Sequence, residues 1–199
     1  MKVFVISTPN DAVRKQNYET QFKEQGITDY EIIQAEMILK APVWGIVRSH
    51  KKAIQLAKYR NYPEVIVAED DLKFTCHNSY RRFISIYKDV PEHVNLFLSG
   101  WYDSDPKTVT DKIASLEGKI SGLHFYIVRA NFYDTLLAAD EAYNLDYWLS
   151  SPEFGRAITW GANPMVCIQN DNYSYNTRQI TQYNTYLHAR YKIWNCLTP

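Results

Sequence analysis

An α/β domain with a largely parallel central sheet is the fold class this sequence predicts, on three observations. Short β-branched runs alternate with helical stretches through the first half of the chain, the order that builds a parallel sheet covered by helices. One of those runs, Val65 to Ala68 in PEVIVAEDDLKF, drives straight into three consecutive carboxylates, Glu69, Asp70 and Asp71. In open α/β sheets, ligands sit at the carboxyl ends of the strands. The chain has 199 residues, 46% of them hydrophobic, with only seven glycines and eight prolines. That is enough apolar material for one core and too little Gly and Pro for a linker, so residues 1–199 read as a single domain.

Val3 to Ser7 reads as a buried strand ended by Thr-Pro-Asn. Asp11 to Gln25 places Val13, Tyr18 and Phe22 at helical spacing, and Gly26 stops the helix. YEIIQA is a second strand. APVWGIVRSHKKAIQLAKYRNY holds a helix with Ile46, Val47, Ile54, Leu56 and Ala57 on its apolar side, and Pro63 turns the chain into the third strand, Val65 to Ala68. SYRRFISIYKDV is helical and VNLFLSG is a fourth strand. Trp101 to Gly118 reads as polar and irregular. KISGLHFYIVRA is a strand pair or one long bent strand, NFYDTLLAADEAY a helix opened by Asn131, and LDYWLS a short helix capped near Asp146. One further strand is expected from Pro164 to Ile168.

Lys plus Arg equals Asp plus Glu at 22 each, so net charge makes no case for nucleic acid or an acidic membrane. Lys51-Lys52 and Arg81-Arg82 read as solvated faces. Cys76, Cys167 and Cys196 form no CxxC pair, which reads as reduced thiols in a cytosolic protein. The apolar run in MKVFVISTPN is too short for a signal peptide. No stretch approaches the ~20 apolar residues of a membrane span. The expectation is a soluble, cytoplasmic protein. The sixteen tyrosines fit either a semi-exposed groove or a tyrosine-rich core.

In an extended segment Glu69 and Asp71 share a face, about 6 to 7 Å apart. Two hard carboxylates that close clamp a hard cation such as Mn²⁺ or Mg²⁺. A cation that keeps open positions also holds a diphosphate, the logic of Asp-x-Asp sites in sugar-nucleotide enzymes. The plainer reading of the same residues is a solvated turn after a strand.

GIVRSHKKAIQLAKYRNYPEVIVAEDDLKF resembles the signature of glycosyltransferase family 25, the lipopolysaccharide and collagen β-galactosyltransferase type. Gly45, Ser49, His50 and Glu69-Asp70-Asp71 follow in the family's order. VFVISTPNDAVRKQNYETQF looks like the family's first strand and nucleotide loop, with Arg14 early in the next helix, although Ser7-Thr8-Pro9-Asn10 stands where the family carries Asn-Leu-Asp-Arg. SGLHFYIVRANFYDTLLAA is similar to its strand and helix bearing a glycine, a tyrosine and an arginine. LDYWLS matches a short Asp-containing motif, and NPMVCIQNDNYS a closing segment that runs from a proline to a glutamine. The resemblance spans residues 1–175.

It implies a GT-A-like fold and a metal-dependent, inverting transfer of a sugar from a UDP-sugar to an acceptor hydroxyl. Ser7, Thr8, Arg14, Ser49, His50, Glu69 and Asp70 would meet the donor. Glu69 and Asp71 would meet the metal, with His188 as a further ligand from the tail. Asp70 faces the other way along an extended chain and serves equally to order the loop. Asp146 is the implied base, with Asp103 and Asp105 as rivals on the loop after the fourth strand, and Glu153 behind them. A plain N-cap is the structural alternative for Asp146, a satisfied core histidine for His50 and a surface histidine for His188; His124 is a weaker candidate. The acceptor is a glycan or a hydroxymethylated DNA base, the latter requiring Arg81, Arg82, Arg178, Arg190 and Lys192 to line one groove. A non-catalytic sugar-nucleotide or glycan-binding module is the reading from another class.

Overall fold

The computed structural model describes residues 1–183, 187 and 192–195. In chain order the elements are β1 (Val3–Ser7), α1 (Ala12–Gln25), β2 (Tyr30–Gln34), α2 (Pro42–Tyr59), β3 (Glu64–Glu69), β4 (Leu72–Phe74), α3 (Ser79–Tyr87), β5 (Leu96–Leu98), β6 (Asp105–Thr108), β7 (Ile113–Glu117), β8 (Phe125–Arg129), α4 (Tyr133–Leu137), α5 (Leu145–Ser150), β9 (Thr159–Ala162), β10 (Cys167–Gln169), β11 (Asn172–Ser174) and β12 (Gln179–Thr181). Eight of these strands form one sheet in the order β2-β1-β3-β8-β5-β9-β7-β6. Following the pairings across it, β7 and β8 run against the other six. The sheet is therefore mixed, with most strands pointing one way.

Strand periodicity divides the core. On β1, Phe4 and Ile6 face the layer that holds α2, while Val3 and Val5 face α1 and α3. On β3, Val65 and Val67 take the first side and Ile66 and Ala68 the second. Both strands are covered on two faces, which is why they read as continuous apolar runs. The cap of α1 is as its sequence suggests: Asp11 accepts from the Arg14 amide, and Gly26 closes the helix at φ +69°. Its buried face is narrower than the spacing predicts, because Tyr18 and Phe22 are buried and Val13 is 79% exposed. Pro42 occupies the first turn of α2, where a missing N–H costs nothing.

Several expectations are corrected. The stretch from Trp101 to Gly118 contains the β6–β7 hairpin. Pro106 and an all-exposed pattern make β6 unreadable as a strand, yet an edge strand tolerates both. Of KISGLHFYIVRA, Phe125–Arg129 forms a single strand, inserted antiparallel between β3 and β5. A 3₁₀ turn over Ala130–Phe132 opens the next segment, and α4 is only five residues long. Asn144, not Asp146, caps α5. The strand expected from Pro164 to Ile168 is replaced by β9 before it and β10 beginning at Cys167. Four-residue β9 contains Gly161, whose missing side chain leaves room for the Trp101 ring, and a glycine weakens any strand signal.

Candidate active site

At the carboxyl end of β3 the chain leaves the sheet. Asp70 and Asp71 make a turn, and β4 then pairs antiparallel with β10. The simple alternation assumed for an extended Glu69-Asp70-Asp71 thus does not hold, but all three carboxylates line one cavity of ≈340 Å³. Asn17 of α1 holds the turn by donating to the carbonyls of Asp70 and Leu72, each at 3.0 Å.

The three carboxylates differ in their partners. Asp70 accepts from the Thr8 amide at 2.5 Å and from Arg14 at 2.6 Å. It is the best-satisfied of the three and orders the β1 loop against the triplet. Glu69 and Asp71 share one weak donor, the Gln169 amide nitrogen, at 3.3 and 3.5 Å. Arg14 reaches Asp71 at 3.5 Å. Tyr102 donates to the Gln169 carbonyl oxygen and so sets which end of that amide faces the carboxylates. Burial pushes Glu69 well above the usual carboxylate range, and the charges of Asp71 and Asp70 push it further. Burial also raises Asp71 and Asp70, against the pull of Arg14. For Arg14 burial works against the charge, but the three carboxylates outweigh it and its pKa rises.

Arg14 also links the triplet to the β11–β12 hairpin. Its guanidinium donates to the Tyr173 carbonyl at 2.9 Å and lies 5.3 Å from the Tyr175 ring centre. Tyr173, Tyr175 and Arg178 line the cavity, so this hairpin forms one of its walls.

The Gly45-Ser49-His50 pattern has a packing origin. A Cβ on Gly45 would lie 2.1 Å from the Glu36 carbonyl oxygen, so only glycine lets α2 approach the loop after β2 this closely. Ser49 secures the same contact, donating to the Gly45 carbonyl at 2.6 Å and accepting from the Glu36 amide at 2.8 Å. Its hydroxyl is engaged within the fold, and its effect on the cavity is to hold that loop as a wall. His50 is 1% exposed and sits between Tyr126 and Glu69. Burial lowers its pKa to about 4, so it is neutral at pH 7. With Glu69 ionised, Nε2–H donates to Glu69 at 3.2 Å and Nδ1 accepts from the Tyr126 hydroxyl at 3.0 Å.

Asp146 lines the same cavity from α5. The Gly122 amide donates to its carboxylate at 2.9 Å. Burial, helped by the charge of Glu69, lifts its pKa to about 6, against the pull of Gly122 and His50. Position near the helix start suggests a lowered value, but here burial outweighs the helix dipole.

Other expected residues lie elsewhere. Ser7 is buried at the end of β1, its carbonyl accepting from Ala35, and does not line the cavity. Asp103, Asp105 and Glu153 are exposed outside the cavity wall. His124 is fully buried, facing the Cys167 carbonyl at 3.0 Å. Arg178 lines the cavity, whereas Arg81 and Arg82 lie on α3, with Arg82 over the Trp194 ring. His188 and Arg190 lie outside the described residues. Sequence reasoning gave no role to Gln169, Tyr126, Tyr102 or Asn17. The first two stand in the stretches that resemble family 25, which was the available signal. Asn17 stands in such a stretch as well, and for Tyr102 there was no signal.

No protein-family model matches the chain, and no curated protein matches it by sequence. Solved structures do match in shape. A197 from STIV is 13% identical with a TM-score of 0.52, over 92% of this chain and 99% of that one. A glycosyltransferase involved in glycosylation of the major capsid of PBCV-1 is 11% identical with a TM-score of 0.53, over 89% and 97%. The fold is GT-A-like. Within this GT-A-like frame the triplet, Arg14, the hairpin, His50 and Asp146 all line one cavity. Among the described residues no group of three or more His, Cys, Asp or Glu side chains is arranged to hold a metal by itself.

Proposed function

We propose that the chain is a glycosyltransferase of the family 25 type, moving a hexose or pentose from a UDP-sugar to an acceptor hydroxyl with inversion, in the presence of Mn²⁺ or Mg²⁺. One observation carries this reading. A single cavity at the carboxyl ends of the strands joins a carboxylate pair short of positive charge, Glu69 and Asp71, to a separate carboxylate tuned to about 6, Asp146.

The donor set fits a hard divalent cation that completes its shell elsewhere. Glu69 and Asp71 offer oxygens, share the weak Gln169 amide donor, with Arg14 at 3.5 Å from Asp71 and His50 at 3.2 Å from Glu69, and are held protonated more readily than ordinary carboxylates. Such a cation neutralises a leaving diphosphate. The chain's residues do the rest. Asp70 and Thr8 fix the loop of β1, Arg14 holds the hairpin over the donor side, and Ser49 holds the loop after β2. His50, neutral, keeps Glu69 oriented. Asp146 takes the proton from the acceptor hydroxyl as the new bond to the anomeric carbon forms and the bond to UDP breaks, its electron pair leaving with UDP. A carboxylate with pKa about 6 is ionised at pH 7 and is a stronger base than an ordinary aspartate.

A panel of nucleotide sugars with Mn²⁺, following UDP or GDP release by water and by added acceptors, tests the reading. Release from a UDP-sugar, stimulated by acceptor, is expected. Tight UDP-sugar binding with no release under any acceptor would mark a binding module instead.

A further inference from the structure

A second hollow, of ≈220 Å³, is bounded by Lys119, Ser121, Asn144, Asp146 and Tyr147. Ser121, Asn144 and Asp146 also wall the larger cavity, so the two spaces meet at the proposed base. We propose that this hollow is the acceptor subsite and that it selects a sugar ring bearing an anionic group, through Lys119 and the Tyr147 face. This rests on the reading of Asp146 as the base.

Three features support it. The hollow meets the larger cavity at Asp146, so a hydroxyl placed in it would lie beside the proposed base. Tyr147, which bounds the hollow, has a second tyrosine beside it: Tyr143 and Tyr147 are 39% and 41% exposed, with ring centres 6.3 Å apart. Phe154 backs them, 4.9 Å from Tyr143 and stacked on Trp148. Packing from behind fixes the two exposed rings, and a fixed aromatic face with a polar tip suits the C–H face of a pyranose at low entropic cost. Finally, Lys119 follows Gly118 in the turn out of β7, is exposed, and has no ion-pair partner among the described residues, Asp146 included. Among the described residues it is the one cation lining the hollow. An acceptor anion entering beside an ionised Asp146 would be repelled, and Lys119 supplies the opposing charge. A duplex needs several phosphates neutralised together, which one lysine does not provide.

The test is a titration by ligand-observed NMR with Mn²⁺ and UDP present, using three probes: methyl α-glucopyranoside, its 6-phosphate and methyl glucuronide. Both anionic sugars should bind about tenfold or more tightly than the neutral one, the size of a hydrogen bond to a charged group. The phosphate and carboxylate arms rank the two sources of charge. Lys119→Gln should bring both to the neutral level, Lys119→Arg should restore them, and Tyr147→Ala should weaken all three. Thermal melts check that the variants fold. Equal affinity for neutral and anionic sugars, a preference that survives Lys119→Gln, or no binding of any probe overturns the subsite. UDP calorimetry on the unmodified protein runs in parallel: no UDP binding counts against the donor reading, while the sugar titration still decides the subsite.

Discussion

Asp71 is buried and Asp146 half-buried; both have raised pKa, but their neighbours suit them to different proposed work. Asp146 accepts a hydrogen bond from the Gly122 amide and feels the electrostatic pull of His50, which is neutral at pH 7. Asp146→Asn keeps that acceptor and removes the base, so turnover should fall by about 10²-fold or more while UDP-sugar affinity stays near wild type. Initial rates with saturating donor check this, and lost donor binding would place Asp146 in the donor pocket. In the unmodified protein, turnover should drop as pH falls through about 6, where Asp146 takes up its proton. Stability has the opposite sign. A carboxyl raised to about 6 holds its proton in the native state where the unfolded chain has lost it, so its contribution worsens as pH rises from about 4 to about 6. Asp146→Asn should therefore melt above wild type at pH 8 and match it below about pH 4. Asp71 instead sits beside Glu69 with a shared, weak donor. Mn²⁺ should tighten UDP binding to the unmodified protein, and Asp71→Asn should abolish that coupling without unfolding the chain. Calorimetry of UDP with and without Mn²⁺ decides it, and equal affinities in the unmodified protein would refute metal coupling.

At the scale of elements, the proposed donor side depends on three segments pinned to one another: the loop after β2, the turn after β3, and the β11–β12 hairpin. Gly45 and Ser49 pin the first. Gly45→Ala forces a Cβ against the Glu36 carbonyl, and overpacking against backbone costs about 1–3 kcal/mol. Ser49→Ala removes two hydrogen bonds and leaves the Glu36 amide without that partner, a loss of roughly 1–2 kcal/mol. Both variants should also weaken UDP binding, because the displaced loop is a cavity wall. Urea melts paired with UDP titration measure the two effects together, and unchanged UDP affinity in a destabilised variant would detach this loop from the donor site. Arg14 links the hairpin to the triplet through the Tyr173 carbonyl, and Arg178 ties it to the loop after β2 by donating to the Leu39 carbonyl. These elements were unequally legible. Gly45, Ser49 and His50 stood out by their resemblance to the family 25 signature, and α1 by its helical spacing and glycine stop. The hairpins did not, since β6, β11 and β12 are exposed edge pieces without apolar alternation.

For the molecule as a whole, the cavity carries unbalanced charge, and ligands that restore the balance should stabilise the fold. Mn²⁺ with UDP at about 100 times the dissociation constant adds about 2.7 kcal/mol by mass action. That corresponds to a rise in Tm of roughly 5–10 °C for a chain of this size. Either ligand alone should give less, and chelation should reverse the gain; scanning fluorimetry reads all three conditions. The sequence by itself determined the α/β class, the buried strands β1 and β3, and the carboxylates at the end of β3. These follow from local apolar runs, short-range caps and adjacent residues, which need no knowledge of distant partners. Only the tertiary structure decided that β8 enters antiparallel between β3 and β5, that Gln169 reaches both Glu69 and Asp71 from a strand a hundred positions away, and that Asp146 is drawn to about 6. Sheet order, shared donors and burial are properties of long-range contacts, and no local pattern in the chain encodes the dielectric in which a carboxylate comes to rest.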